Sequence, residues 1–201
     1  NKKNIYLPKK ILTSSKINLN LLINQGINKK KLELVEALRY NWLNKFKDKK
    51  TNYSTNKILV FGDYDKKINK ELLELIKNLL DKINDLVVYF KPHPGDINDY
   101  DYKINRLKII YHLPKKLNFK LYVFSNSTSA SAEYTHLTND IAIFNSKFSI
   151  NLSPFKGLKK YQNNFFSNEI ELKKILAIKI KNKFNFFFYL NDTLTKWKNI
   201  I

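Results

Sequence analysis

Cysteine is absent from the 201-residue chain. That removes disulfides, thiolate catalysis and zinc sites of the cysteine type together. It leaves the compartment open, with cytoplasmic as the default. Methionine is absent too, and residue 1 is an asparagine; the expectation is a fragment, or the ordered part, of a longer chain. Arginine is nearly absent, with only Arg39 and Arg106 among the many lysines. Arginine is the better reader of base edges and phosphate forks, so its scarcity puts specific nucleic-acid binding well behind. No apolar run is long enough to cross a bilayer, and no secretory signal opens the chain. There is no Walker loop and no GxGxxG, which argues against ATPase and dehydrogenase activities. No glycosidase-type carboxylate pair is evident. The three histidines, His93, His112 and His136, have no partners at metal-ligand spacing. No metal and no cofactor are therefore expected, and His112 and His136 read as surface or helix residues.

What is present is charge and a core. The formal net charge is +20, and 43% of residues are hydrophobic, enough to fold around a real interior. A balance this basic suggests anionic partners. Lys, Asn, Ile and Phe are also what an AT-rich genome over-supplies, so part of the charge reads as compositional drift. A non-catalytic basic α/β module that binds anionic polymer or lipid headgroups needs only the lysines, and it stands as the alternative function.

In chain order, residues 10–13 and 32–35 read as strands around a helix at 17–24, capped by Ser14 or Ser15 and closed by Gly26. Glu36–Tyr40 (EALRY) leads onward, and 45–56 is a polar, lysine-rich linker. Lys57–Phe61 is a strand ending in Gly62-Asp63-Tyr64-Asp65, where a glycine lets backbone approach a ligand. Residues 68–83 carry a helical apolar stripe. Short strands follow at 107–111, 120–124 and 140–144, with a helical turn at 113–117 and a helix at 130–137. Residues 146–160 form a loop and 169–176 a short helix. Residues 184–190 are a strand or buried segment, and Asp192 or Thr193 caps a last helix. Strands alternating with helices predict an α/β fold with a doubly wound, Rossmann-like parallel sheet.

The stretch 86–132 organises the rest. The apolar run 86–90 ends in Lys91-Pro92-His93-Pro94-Gly95-Asp96. The run Leu121–Phe124 ends in Ser125-Asn126-Ser127-Thr128-Ser129. Uninterrupted apolar runs suit strands buried on both faces of a parallel sheet, and ligands bind outside the carboxyl ends of such strands. Two prolines stiffen the backbone around His93, which suits an aimed imidazole able to donate a proton near neutrality. Ser127, Thr128 and Ser129 precede a helix start, where hydroxyls and free N–H groups attract phosphate.

A strand followed by KPHP, then a strand followed by SNSTSASAE, resembles the nucleotide-binding half of GT-B glycosyltransferases of bacterial surface carbohydrate synthesis. These include sialyltransferases, capsule Kdo transferases and CDP-glycerol glycerophosphotransferases. The resemblance covers roughly residues 57–200 by pattern. It implies that His93 is catalytic, touching the donor phosphate and helping the nucleotide leave. It further implies that Lys91, Ser125, Ser127, Thr128, Ser129, Gly62 and Asp63 bind the donor phosphate or nucleotide, and that Glu133 faces the ribose. The implied activity is inverting, metal-independent transfer from a CMP- or CDP-activated sugar to a glycan or glycolipid acceptor. The implied place is the cytoplasm, with peripheral contact at the inner membrane face. Residues 1–44 would end an acceptor domain, 45–56 would link, and 57–201 would form the donor domain.

Overall fold

Ser15 begins the first helix of the chain. In the computed structural model, which describes residues 8–46, 56–96, 100, 103–113, 118–178 and 187–200, its backbone is extended and its hydroxyl accepts the Asn18 N–H at 3.4 Å. The chain groups into two units. One comprises Asn1–Lys49, Thr135–Leu137 and Phe184–Ile201, the other Lys50–Tyr134 and Thr138–Lys183.

The first unit opens with β1 (Ile11–Thr13), α1 (Lys16–Asn24) and β2 (Leu32–Leu34). Gly26 leaves α1 at φ +89°, the left-handed exit that glycine takes without strain. The chain then returns so that β2 pairs parallel with β1, Ile11 opposite Leu32. A 3-10 turn, Leu38–Phe46, follows.

The second unit holds β3 (Lys57–Phe61), α2 (Lys66–Lys82), β4 (Val87–Lys91), β5 (Leu107–Ile109), β6 (Leu121–Phe124), α3 (Ala130–Tyr134), β7 (Ile141–Phe144), β8 (Phe165–Phe166) and α4 (Glu169–Ala177). All six strands run parallel in the order β5-β4-β3-β6-β7-β8. The order reverses between β3 and β6, as doubly wound sheets do at their switch point.

Alternation along the strands gives the sheet two buried faces. Ile58, Val60, Val88, Phe90, Leu121 and Val123 pack under the apolar stripe of α2 and under Leu172 and Ile175 of α4. On the opposite face Phe61, Tyr122 and Phe124 meet Tyr134 of α3, with ring centroids 5.0, 5.1 and 5.3 Å away. Such pairs add about 0.5–1.5 kcal/mol each beyond the area they bury. Burial pushes the Tyr134 phenol well above its ordinary value, with Tyr122 and Glu133 adding to the shift.

Arg106, one of the two arginines, holds the end of α2. Its guanidinium donates to the carbonyls of Leu80 and Ile83, placing a cation where the helix dipole is negative. At the other end Asp65 accepts the Lys67 N–H at 2.8 Å.

Several expectations are corrected. The helix read over 130–137 ends at Tyr134; residues 135–137 form a turn and group with the first unit. His136 is not a surface residue. It is 3% exposed, and its Nε2 accepts the Phe188 N–H at 3.0 Å. His112 is exposed as read. A two-residue strand, β8, appears where no strand is legible. The last helix, α5 (Thr195–Lys198), is capped by neither Asp192 nor Thr193, and Leu194 stands at the cap with φ +52°. The carboxylate of Glu36 does the work instead, accepting the N–H groups of Lys196 at 3.0 Å and Trp197 at 3.3 Å. Asp192 accepts from Asn44 at 2.8 Å and Asn41 at 3.1 Å. Of residues 184–190 the last four are described. There the Tyr189 carbonyl accepts from Ala37 at 2.9 Å, and the Tyr189 N–H donates to Ser14 at 2.7 Å. Most of the 45–56 linker, residues 114–117 and residues 184–186 lie outside the described residues. Among the described residues no helix is long and apolar enough to cross a membrane.

Candidate functional site

Three loops leave the carboxyl ends of β3, β4 and β6, the strands around the switch point. The first carries Asp63 and Tyr64, the second His93, and the third Ser127, Thr128 and Ser129. These six residues line one cleft with a cavity volume of about 130 Å³. The parallel strands bring them together. β3 pairs with β4 in register from Lys57 opposite Val87 to Phe61 opposite Lys91, and with β6 up to Phe61 opposite Phe124. All three exits therefore fall at one level of one sheet edge.

The loops are held from below by Asn69, a fully buried side chain of α2. Its Oδ1 accepts the Asp63 N–H at 2.7 Å. Its Nδ2 reaches the Asp63 carbonyl at 2.7 Å, an Asp96 carboxylate oxygen at 2.8 Å and the Tyr100 hydroxyl at 2.8 Å. The Tyr100 hydroxyl also donates to Asp96. One carboxamide thus ties the loop after β3 to the loop after β4. Its sequence signal is an asparagine three and seven residues before Leu72 and Ile76, on the buried face of the stripe.

Asp63 changes the picture of the serine loop. The Ser127 hydroxyl donates to Asp63 Oδ2 at 2.5 Å and the Ser127 N–H to the same atom at 3.2 Å. A carboxylate already takes both Ser127 donors, so Ser127 buttresses the loop. Asp63 is 1% exposed, and its Oδ1 also accepts the Asp65 N–H at 3.2 Å. Thr128 keeps a hydroxyl proton, since its Oγ1 accepts from the Ala130 N–H at 3.3 Å. The helix that follows, α3, has five residues. The hydroxyls and local N–H groups, rather than a long helix dipole, are what this loop offers to an anion.

Gly62, Lys91, Ser125 and Glu133 are not among the residues that line the cleft. Gly62 has a packing reason of its own to be glycine. A Cβ there would stand 2.7 Å from the Phe90 ring and 3.0 Å from Asn69 Oδ1. Lys91 ends β4, its carbonyl accepting the Gly62 N–H at 2.9 Å. Ser125 lies beneath the cleft at 1% exposure. Between Ser125 and Ser127, the buried Asn126 holds the next loop, donating to the Ile150 carbonyl at 3.0 Å and accepting the Ser146 N–H at 3.2 Å.

Tyr64 is the lining residue that sequence reasoning missed. It is 66% exposed and stands edge-on to His93 at 6.3 Å between ring centroids. Its position after the Gly62-Asp63 turn was the only signal. Among the described residues no group of three or more His, Asp or Glu side chains could hold a metal ion.

No protein-family model matches the chain, and a search of curated proteins finds no match. Solved structures do match. Over 96% of its length the chain superimposes on the Methanocaldococcus jannaschii UDP-GlcNAc 2-epimerase in complex with UDP-GlcNAc and UDP. The TM-score is 0.61 and the sequence identity 15%, and 60% of that chain is covered. S. aureus MnaA, solved with UDP, is matched over 96% of this chain and 58% of its own, at TM-score 0.55 and 12% identity. The chain thus spans under two thirds of both. At such identities the likeness concerns the fold, and it places a Rossmann-like α/β unit of the GT-B type here.

Proposed function

We propose that the second unit binds a nucleotide-activated sugar and that the chain is the donor-binding part of a glycosyltransferase. The sugar moves from a CMP- or CDP-type donor to a surface glycan or glycolipid acceptor. Residues 1–44 close the acceptor domain, 45–56 link, and the donor domain begins at 57, with the stretch from Phe184 on grouping with the first unit, at the inner face of the cytoplasmic membrane. The observation that supports this reading is the cleft. His93 meets Ser127, Thr128 and Ser129 at the switch point of a parallel sheet, where such folds take their ligands.

The chemistry follows from charge. When the bond from the anomeric carbon to the phosphate oxygen breaks, negative charge grows on the departing phosphate. Donors already aimed at that oxygen act more strongly in the transition state than before it. His93 and the hydroxyls of Thr128 and Ser129 fill that role, without metal, in an inverting displacement. Ser127 and Asp63 hold the loop, and Glu133 serves the ribose. The base that activates the acceptor belongs to the acceptor domain.

A second reading keeps the cleft and changes the base. Both superimposed structures hold UDP, which favours a UDP-sugar, and the first is a UDP-GlcNAc 2-epimerase, which favours isomerisation of the sugar rather than its transfer. Calorimetric titration with CMP, CDP, UDP and GDP decides. Cytidine nucleotides bind tightest if the first reading holds, and UDP does if the second holds. Two charge-assisted hydrogen bonds of about 1.5–3 kcal/mol each, partly offset by phosphate desolvation, give CMP on the order of tenfold to several hundredfold over cytidine. Equal affinity for cytidine and CMP would return the chain to the basic-module alternative.

A further inference from the structure

Pro92 and Pro94 deprive the His93 loop of two backbone donors. The first N–H after His93 therefore belongs to Gly95, and it turns back onto the histidine ring, donating to Nδ1 at 3.0 Å. Gly95 also leaves the ring its room, since a Cβ there would stand 3.3 Å from Nδ1 and 3.6 Å from Cε1. The Asp96 N–H closes the same turn on the His93 carbonyl at 2.9 Å, and Asp96 is in turn bonded to Asn69. The loop is thus anchored on the α2 side and folded over one edge of the imidazole.

In a neutral imidazole one nitrogen accepts and the other carries the proton. An N–H aimed at Nδ1 makes Nδ1 the acceptor. We infer that Gly95 is a positioning residue, fixing His93 as the Nε2–H tautomer so that a neutral imidazole offers a hydrogen bond from Nε2 to an oxygen in the cleft. His93 then acts on the departing group as a donor, and Nδ1 is closed to proton abstraction. Only the identity of the ligand oxygen rests on the nucleotide-sugar reading; the tautomer does not.

The test is long-range proton–nitrogen correlation NMR on the full 201-residue chain, above the titration of its histidines. His93→Gln assigns the signal, and the chain has three histidines in all. The expected spectrum shows Nδ1 without a proton and Nε2 with one. Gly95→Ala and Gly95→Pro both add a Cβ, but only the proline deletes the N–H. The alanine variant should keep the Nε2–H form, and the proline variant should lose that preference. Added CDP or UDP should shift the Nε2 signal, and Gly95→Pro should weaken the binding about threefold to tenfold, the worth of one misaligned hydrogen bond to a charged oxygen. A proton on Nδ1, or a tautomer balance indifferent to Gly95→Pro, overturns the assignment. Nucleotide that binds without moving the His93 signal overturns the positioning role and spares the nucleotide reading. A Gly95-dependent Nε2–H form in a chain that binds no nucleotide retires that reading and supports the tautomer.

Discussion

At the scale of the residue, Asn69 and Gly62 set how the loops around the cleft pack. Replacing Asn69 by leucine would leave the Asp63 N–H and carbonyl without their partners in a buried place. Each such loss costs about 1–3 kcal/mol, so Asn69→Leu should lower stability by roughly 2–5 kcal/mol in urea denaturation. A loss within experimental error of zero would contradict the clamp. Gly62→Ala pushes a methyl into the Phe90 ring and should cost about 1–3 kcal/mol through overpacking. Adding Phe90→Leu should recover part of that loss, which a purely conformational glycine would not allow. The glycine after β3 was visible in sequence, but its reason was not. A Gly-Asp turn looks the same whether it faces a ligand or the neighbouring strand. Asn69 was hidden for a different reason. A single polar residue on an apolar stripe signals burial, yet nothing local says which loops it bonds.

At the scale of the element, the strands were legible because their burial is local. Lys57–Phe61 and Leu121–Phe124 are short apolar runs ending in polar loops, and both occupy the centre of the sheet. The helix caps were legible where cap and helix are adjacent, as at Ser15, and illegible where the partner is remote. Glu36 caps α5 from 160 residues away, and no periodicity reports that. Burial opposes the charge of Glu36, but the bonds from the Lys196, Trp197 and Thr195 groups outweigh it and hold its carboxyl below the ordinary value. A carboxyl depressed on folding stabilises at pH above its unfolded value of about 4.3, and that contribution is lost as pH falls through the folded value. The emission of Trp42 and Trp197, both in the first unit, should therefore report loosening in acid below about pH 4. Glu36→Gln should remove much of that acid step while lowering stability at neutral pH by about 1 kcal/mol, the usual worth of a cap. An unchanged acid transition in the variant would show that Glu36 does not govern it.

At the scale of the whole molecule, two explanations compete for a chain of charge +20. A cleft that grips one or two phosphates should lose affinity only modestly between low and physiological salt. A lysine surface that grips a polyanion releases many counterions and should show a steep dependence on salt concentration. The doubly wound topology was legible from the alternation of strands and helices, and the cleft from two polar clusters placed directly after strands. The nucleotide base was not legible, because hydroxyls and an imidazole suited to a phosphate say nothing about the ring beyond it. The most direct measurement of the central claim is backbone amide chemical-shift mapping of the full chain during titration with CDP and with UDP at physiological salt. Saturable shifts concentrated at Asp63, Tyr64, His93, Ser127, Thr128 and Ser129 are the predicted result. Shifts scattered over lysine-bearing surfaces, with those six residues unmoved, would contradict it.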